Sequence, residues 1–223
     1  AADPKILNLL IARGADVNLL SEGGLSALII AAQTNATETC RLLLSLGADP
    51  NLFSEAYGCA LHHVTHGHGA HGRGLQTIEL LLTAGADPNR YFLGKTPLDI
   101  ALSVGRWSLV ETLCRHGAEP DLARPEGSAA GDGSLAMALR APEWAPDQPT
   151  PERLRWLVSM GADPSHQSED GQTALLVAAW GCPEQIGVLV TLGAALEQRG
   201  PSGQTTLLSV VARGGSVAAV RTL

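Results

Sequence analysis

Apolar residues recur along this chain at spacings of three and four. Ile6-Leu7-Asn8-Leu9-Leu10-Ile11, Cys40-Arg41-Leu42-Leu43-Leu44 and Ile78-Glu79-Leu80-Leu81-Leu82 each present the stripe of an amphipathic helix. Each run stops at a glycine of a recurring triplet: Gly14-Ala15-Asp16, Gly47-Ala48-Asp49, Gly85-Ala86-Asp87, Gly117-Ala118-Glu119, Gly161-Ala162-Asp163 and Gly193-Ala194-Ala195. The position suits a glycine just past a helix end, where the backbone turns left-handed. Turn formers follow, as in Asp16-Val17-Asn18, Asp49-Pro50-Asn51 and Asp87-Pro88-Asn89.

A second, shorter apolar segment begins about ten residues later. Its clearest copy is Thr96-Pro97-Leu98-Asp99-Ile100-Ala101, with close versions at Ser26-Ala27-Leu28-Ile29-Ile30-Ala31-Ala32 and Thr173-Ala174-Leu175-Leu176-Val177-Ala178-Ala179. Degenerate copies start at Cys59, Ser134 and Thr205. Thr or Ser is expected to cap the helix by accepting from its first amides, and Pro fits the first turn. Small alanines allow close helix approach. The triplet glycines are spaced 33, 38, 32, 44 and 32 residues apart, so the period is near 33 with two insertions.

Turn, short helix, tight connection, longer helix, glycine stop and hairpin make one unit. The pattern resembles the ankyrin repeat, whose hallmarks are T-P-L-H-x-A, an apolar second helix and G-A-D. The resemblance spans essentially the whole chain. It implies an all-α ankyrin-repeat solenoid of helix-turn-helix units joined by β-hairpin-like loops. The expected organisation is a single domain over 1–223: a half unit 1–23, units at about 24–56, 57–93, 94–130, 131–170 and 171–202, and a half unit 203–223. The chain is expected to start inside one second helix (Ile6 to Ala12) and to end inside another (Val217 to Leu223), with no polar capping unit at either end, so a piece of a longer protein is expected.

The two insertions lie between the paired helices. Residues 66–75 stand where the family has about five, and their glycines rule out a helix. Residues 141–151 carry four prolines, which favour a stiff extended loop, and Thr150-Pro151-Glu152 reads as a new helix start. Both loops are expected on the same edge of the stack.

Composition changes the picture little. The chain is 45% hydrophobic and 17% charged, enough for a packed core, and that core must be aliphatic. A net charge of −7, from 15 basic and 22 acidic residues, disfavours nucleic acid. No basic cluster or long apolar run marks a membrane protein. Cys40, Cys59, Cys114 and Cys182 fit neither a zinc template nor a compact disulfide framework and read as small buried thiols.

Five of seven histidines fall between 62 and 71. His62 and His66 could share a helix face, and His62, His66, His68 and His71 are the candidates for a metal site. His62 also occupies the family's own histidine position, and no local Cys, Asp or Glu completes a ligand shell. No metal or other cofactor is therefore expected. No nucleophile–base pair, phosphate loop or metalloprotease motif appears, so no catalytic residue is assigned.

The aromatic residues are more telling. Phe53 and Tyr57 lie in one hairpin segment, and Tyr91 and Phe92 in the next. One residue of each pair can pack while the other faces a partner, with Tyr57 and Tyr91 expected outward. Trp180 at the end of a first helix and Trp144 in the proline-rich loop are further anchor candidates. Trp156 reads as core, and Trp107 as either. The function expected from the resemblance is a monomeric protein–protein interaction scaffold, binding another protein through a concave face and hairpin fingers, without catalysis, nucleic acid or membrane. The alternatives are a regulatory or targeting arm of a larger enzyme or bacterial effector, and a histidine-loop metal module. The cytoplasm is the expected compartment, with a secreted effector as the other option.

Overall fold

A computed structural model describes residues 3–66, 74–122, 131–142, 147–200 and 202–212. The described residues form helices α1 (Pro4–Ala12), α2 (Ala27–Gln33), α3 (Thr37–Ser45), α4 (Ala60–His66), α5 (Leu75–Thr83), α6 (Pro97–Ser103), α7 (Trp107–Arg115), α8 (Ser134–Leu139), α9 (Pro151–Ser159), α10 (Ala174–Gly181), α11 (Ile186–Thr191) and α12 (Thr206–Ala212). A 3-10 turn, Pro183–Gln185, leads into α11. Extended pairing among the described residues is limited to isolated antiparallel bridges at Ser54–Gly58, Phe92–Lys95 and Gln167–Thr173. The fold is the all-α ankyrin type with hairpin-like connections.

Packing divides the chain into two compact units, Ala1–Ala101 with Trp107–Ala118, and Leu102–Arg106 with Glu119–Leu223. In the first, α2 packs on α3 and α4, α3 on α5, and α5 on α4 and α7. In the second, α8 packs on α9 and α10, and α10 on α11 and α12. First helices thus lean on first helices and second on second. Small residues make this possible: Ala31, Ala32, Ala101, Ala138 and Ala178 are buried, beside Leu28, Leu43, Leu61, Ile78 and Leu113 in the first unit and Leu135, Leu154, Leu175 and Leu189 in the second.

Helix starts follow the expected chemistry. Ser26 Oγ accepts from Ile29 N–H at 3.1 Å and Thr173 Oγ1 from Leu176 N–H at 3.2 Å. Thr96 and Asp99 form a reciprocal box: Oγ1 accepts from Asp99 N–H at 3.1 Å and Asp99 Oδ2 accepts from Thr96 N–H at 2.9 Å. Thr150 accepts from Arg153 N–H and starts α9 with Pro151 in the first turn. Ser134 departs from expectation. Gly133 occupies the cap of α8, and the Ser134 hydroxyl accepts from Asp121 N–H at 3.1 Å instead.

Each letter of the triplet has a separate physical task. The six glycines have φ between 90° and 107°. Gly47 N–H donates to Leu44 O at 3.1 Å and Ala48 N–H to Leu43 O at 3.0 Å, the paired closure of a Schellman stop, and the other triplets repeat it. The alanine that follows, as at Ala48, Ala86, Ala118, Ala162 and Ala194, buries its methyl. Asp49 Oδ1 then accepts from Asn51 N–H at 2.8 Å, holding the local turn.

The asparagines join successive repeats. Asn18 Oδ1 accepts from Asp49 N–H at 2.8 Å while its Nδ2 donates to Gly47 O at 3.2 Å. Asn51 does the same to Asp87 N–H at 2.7 Å and Gly85 O at 2.8 Å, and Asn89 Nδ2 donates to Gly117 O at 2.9 Å. The second unit varies the device. Asp121 replaces Asn, with φ 55°, and its carboxylate accepts from Ser134 N–H at 2.5 Å and Asp163 N–H at 2.7 Å. Further along, the single hydroxyl of Ser165 accepts from Ala195 N–H at 2.9 Å and donates to Gly193 O at 3.3 Å.

Candidate interaction surface

The hairpins 51–58 and 89–95 of the first unit place four aromatic candidates on two neighbouring turns. Phe53 and Phe92 meet edge to face, their centroids 6.1 Å apart, and His62 meets Phe92 at 5.5 Å in a similar geometry. Arg90 lies over the Phe53 ring at 4.7 Å. Gly58 explains how Phe92 gets so close: a Cβ there would stand 2.8 Å from Phe92 Cγ and 3.2 Å from His62 Nδ1.

His62 locks this cluster to the helix below it. It is buried, and its Nε2–H donates to Arg90 O at 3.0 Å, so Nδ1 is the unprotonated nitrogen. Nδ1 stands 3.3 Å from Cys59 N and 3.0 Å from Cys59 Sγ, both of which donate to it. Burial, the main cause, pushes the imidazole down to about 4 from its usual 6.5; the Arg90 carbonyl opposes that shift. With both ring nitrogens engaged, His62 is a structural link rather than a metal ligand. The side chain of His66, and His68 and His71 altogether, lie outside the described residues. Among the described residues no three of His, Cys, Asp and Glu gather as a metal-holding group.

Tyr57 is placed differently from the phenylalanines, whereas Tyr91 shares their partial burial. Tyr57 is 37% exposed, and its ring lies tilted beside His63 at 6.2 Å. His63 Nε2–H donates to Tyr57 O at 2.9 Å, fixing the turn to α4. Tyr91, expected outward, is half-buried. Trp180 of the second unit is 39% exposed at the end of α10. Trp144 lies outside the described residues. Trp107 is buried in α7. Trp156, read as core, is only half-buried, because Leu154 and Leu157 fill the inner face of α9.

Three residues of this surface escaped the sequence reading. Arg90 carries no signal that separates it from an ordinary solvated residue, and His63 stands out only as one of the clustered histidines, not as a neighbour of Tyr57. Leu93, at the tip of hairpin 89–95, is 84% exposed. Its signal was available: the stretch from Asn89 to Thr96 is one residue shorter than Asn18 to Ser26 or Asn51 to Cys59.

The cysteines offer no reactive group. All four are free; Cys40, Cys59 and Cys114 are buried and Cys182 half-buried, so the expectation of four buried thiols holds for three. Burial raises all of them, Cys40, Cys114 and Cys182 to about 11.

Comparisons with known proteins agree with this fold. A model described as "Ankyrin repeats (3 copies)" matches residues 1–92, "Ankyrin repeat" matches 93–124, and "Ankyrin repeats (many copies)" matches 144–192. Among curated proteins, none matches the chain in sequence. Several solved structures share the fold at 21% identity. The human ASB11 ankyrin repeat domain superposes with a TM-score of 0.70, covering 98% of this chain and 90% of that one. The ankyrin repeat domain of Bcl-3, a member of the IkappaB family, gives 0.72 with the same coverage. A chain from the complex of the predatory endopeptidase Bd0816 of Bdellovibrio bacteriovorus with immunity protein Bd3460 gives 0.70, covering 91% of this chain and 98% of that one.

Proposed function

Because the chain belongs to the ankyrin-repeat family, whose repeats are generally protein-interaction modules, we propose that this protein holds a partner protein on its hairpins and first helices and catalyses nothing. The observation that carries this reading is the division of labour among hairpin aromatics. Phe92 braces both Phe53 and His62, while Tyr57 on the same hairpin as Phe53 stays open to solvent. Ile30 on α2 is a second exposed apolar side chain, at 47%. Such side chains supply desolvation area to a partner at little entropic expense. Tyr91, Phe53 and Phe92 act as the partly buried base of the surface, and Trp180 serves as a separate anchor in the second unit.

The partner is a protein rather than a nucleic acid, since a chain of net charge −7 repels phosphate backbones. Among the described residues no helix is long and apolar enough to cross a membrane. The chain acts as a monomer in this reading.

Cross-linking followed by mass spectrometry, with the wild-type chain and Tyr57→Ala and Trp180→Ala variants as baits, tests the proposal. Capture of a defined partner, weakened in a variant whose melting temperature is unchanged, is the expected result. Capture that no surface substitution alters, or no partner above a denatured-bait control, defeats it.

A further inference from the structure

Hairpin 89–95 is built around an unusual tip. Its missing residue leaves a two-residue turn, Leu93-Gly94, closed by Phe92 N–H to Lys95 O at 2.9 Å and Lys95 N–H to Phe92 O at 3.0 Å. Leu93 has φ 50° and Gly94 φ 72°. A tight turn with both central residues at positive φ favours Asn, Asp or Gly at the first position. The other described non-glycine residues with positive φ are Asn35 and Asp121, types that tolerate that conformation. A leucine there is backbone-strained, and its side chain is 84% exposed. Neither feature helps the chain fold, and strain combined with apolar exposure at one residue is the mark of a position kept for recognition.

The rest of the hairpin is organised around that tip. Phe92, directly before Leu93, is pinned between Phe53 and His62, and Arg90 is held over Phe53. The leucine is therefore presented by a fixed base, which lowers the ordering cost of binding. Hairpin 89–95 carries two cations, Arg90 and Lys95, and no carboxylate, in a chain of net charge −7. The neighbouring hairpin 51–58 adds one carboxylate, Glu55, and Asp49 and Asp87 hold the bases of the two turns, so the cationic excess is confined to hairpin 89–95 itself.

We infer that Leu93 is an apolar anchor and that hairpin 89–95 takes an acidic, leucine-bearing segment of the partner protein, with Arg90 and Lys95 meeting its carboxylates. The inference rests on the interaction reading above and adds the chemistry of what is bound.

Fluorescence polarisation tests it with three labelled peptides that share their leucines and carry Glu, Gln or Lys between them. The wild-type chain is expected to bind the Glu peptide about tenfold more tightly than the Lys peptide, and added salt narrows the gap. Leu93→Asn is expected to weaken the Glu peptide about tenfold while the melting temperature holds or rises, because Asn suits the turn and a merely structural leucine would lower it. Lys95→Gln, which leaves the Arg90–Phe53 stack in place, reduces the preference for Glu over Gln. Equal binding of the Glu and Lys peptides, binding unaffected by Leu93→Asn, or no binding of any peptide overturns the inference. Glu-peptide binding that perturbs amide signals only on the first helices also overturns it, yet leaves the interaction reading intact. Failure of that broader reading shows instead as the absence of a cross-linked partner.

Discussion

Asn51 holds the next repeat with both ends of its amide: Oδ1 accepts from Asp87 N–H at 2.7 Å and Nδ2 donates to Gly85 O at 2.8 Å. These two groups sit just past the stop of α5, so the side chain caps a helix one repeat away. Asn18 makes both bonds to the repeat after it, and Asn89 makes the bond to Gly117 O. Register between repeats is therefore set by directional bonds as well as by burial of alanine and leucine.

Asn51→Asp keeps the acceptor and loses the donor, and it brings a carboxylate toward the Gly85 carbonyl. A destabilisation of about 1 kcal/mol is expected, and about 1–2 kcal/mol for Asn51→Ala, which loses both bonds. Urea unfolding followed by circular dichroism measures both; equal stability of the three proteins would show that the clamp is decorative.

His62 makes stability depend on pH. Its folded value is lowered to about 4 from 6.5, so the unfolded chain takes up this proton at higher pH than the folded one. Stability from this group is complete above about pH 6.5 and is lost as pH falls toward 4. The loss approaches about 3 kcal/mol at its limit. The groups around the ring are Cys59, His63 and Arg90, and the two bases oppose its protonation. Unfolding curves between pH 7 and 4 for wild type and His62→Gln check this: the variant should lack that part of the slope.

Two glycines separate conformational strain from crowding. Gly85 has φ 90° and open space around a built Cβ, so Gly85→Ala should cost about 1–2 kcal/mol through the backbone alone. Gly58 has φ 73° and would also drive its Cβ into Phe92 and His62. Gly58→Ala should be clearly worse, by a margin that shrinks in a Phe92→Ala background. Additive losses in the double variant would disprove the contact.

Phe92→Ala and Tyr57→Ala should part company. Removing Phe92 strips contacts from Phe53 and His62 and is expected to cost about 2 kcal/mol. Tyr57 is more open and should change stability by about 0.5 kcal/mol or less. Calorimetric melting of both variants measures the difference, and the same ordering should be reversed for partner binding.

The fold was legible because its signals are local. A glycine at positive φ, an alanine closing the helix and a threonine cap each act within five residues of chain, so Gly47-Ala48 and Thr173 could be understood one repeat at a time. The clamp was not legible. Asn18 and Asn51 read as turn formers because their partners lie 31 and 36 residues away. The substitutes Asp121 and Ser165 hid the period of the device further. The candidate surface was half legible. The repeat register placed Phe53, Tyr57, Tyr91 and Phe92 on neighbouring hairpins, but which rings pack depends on a cross-repeat meeting at Gly58. Trp156 shows the opposite error: it stands in an apolar stripe, yet Leu154 and Leu157 are the residues that fill the core.

Hydrogen exchange on the cross-linked partner complex tests the central claim most directly. New protection should fall on the amides of hairpins 51–58 and 89–95 and on the adjoining first helices, while the second helices α3, α5 and α7 stay unchanged. Protection confined to the second helices, or a complex that leaves both hairpins exchanging as in the free chain, would contradict it.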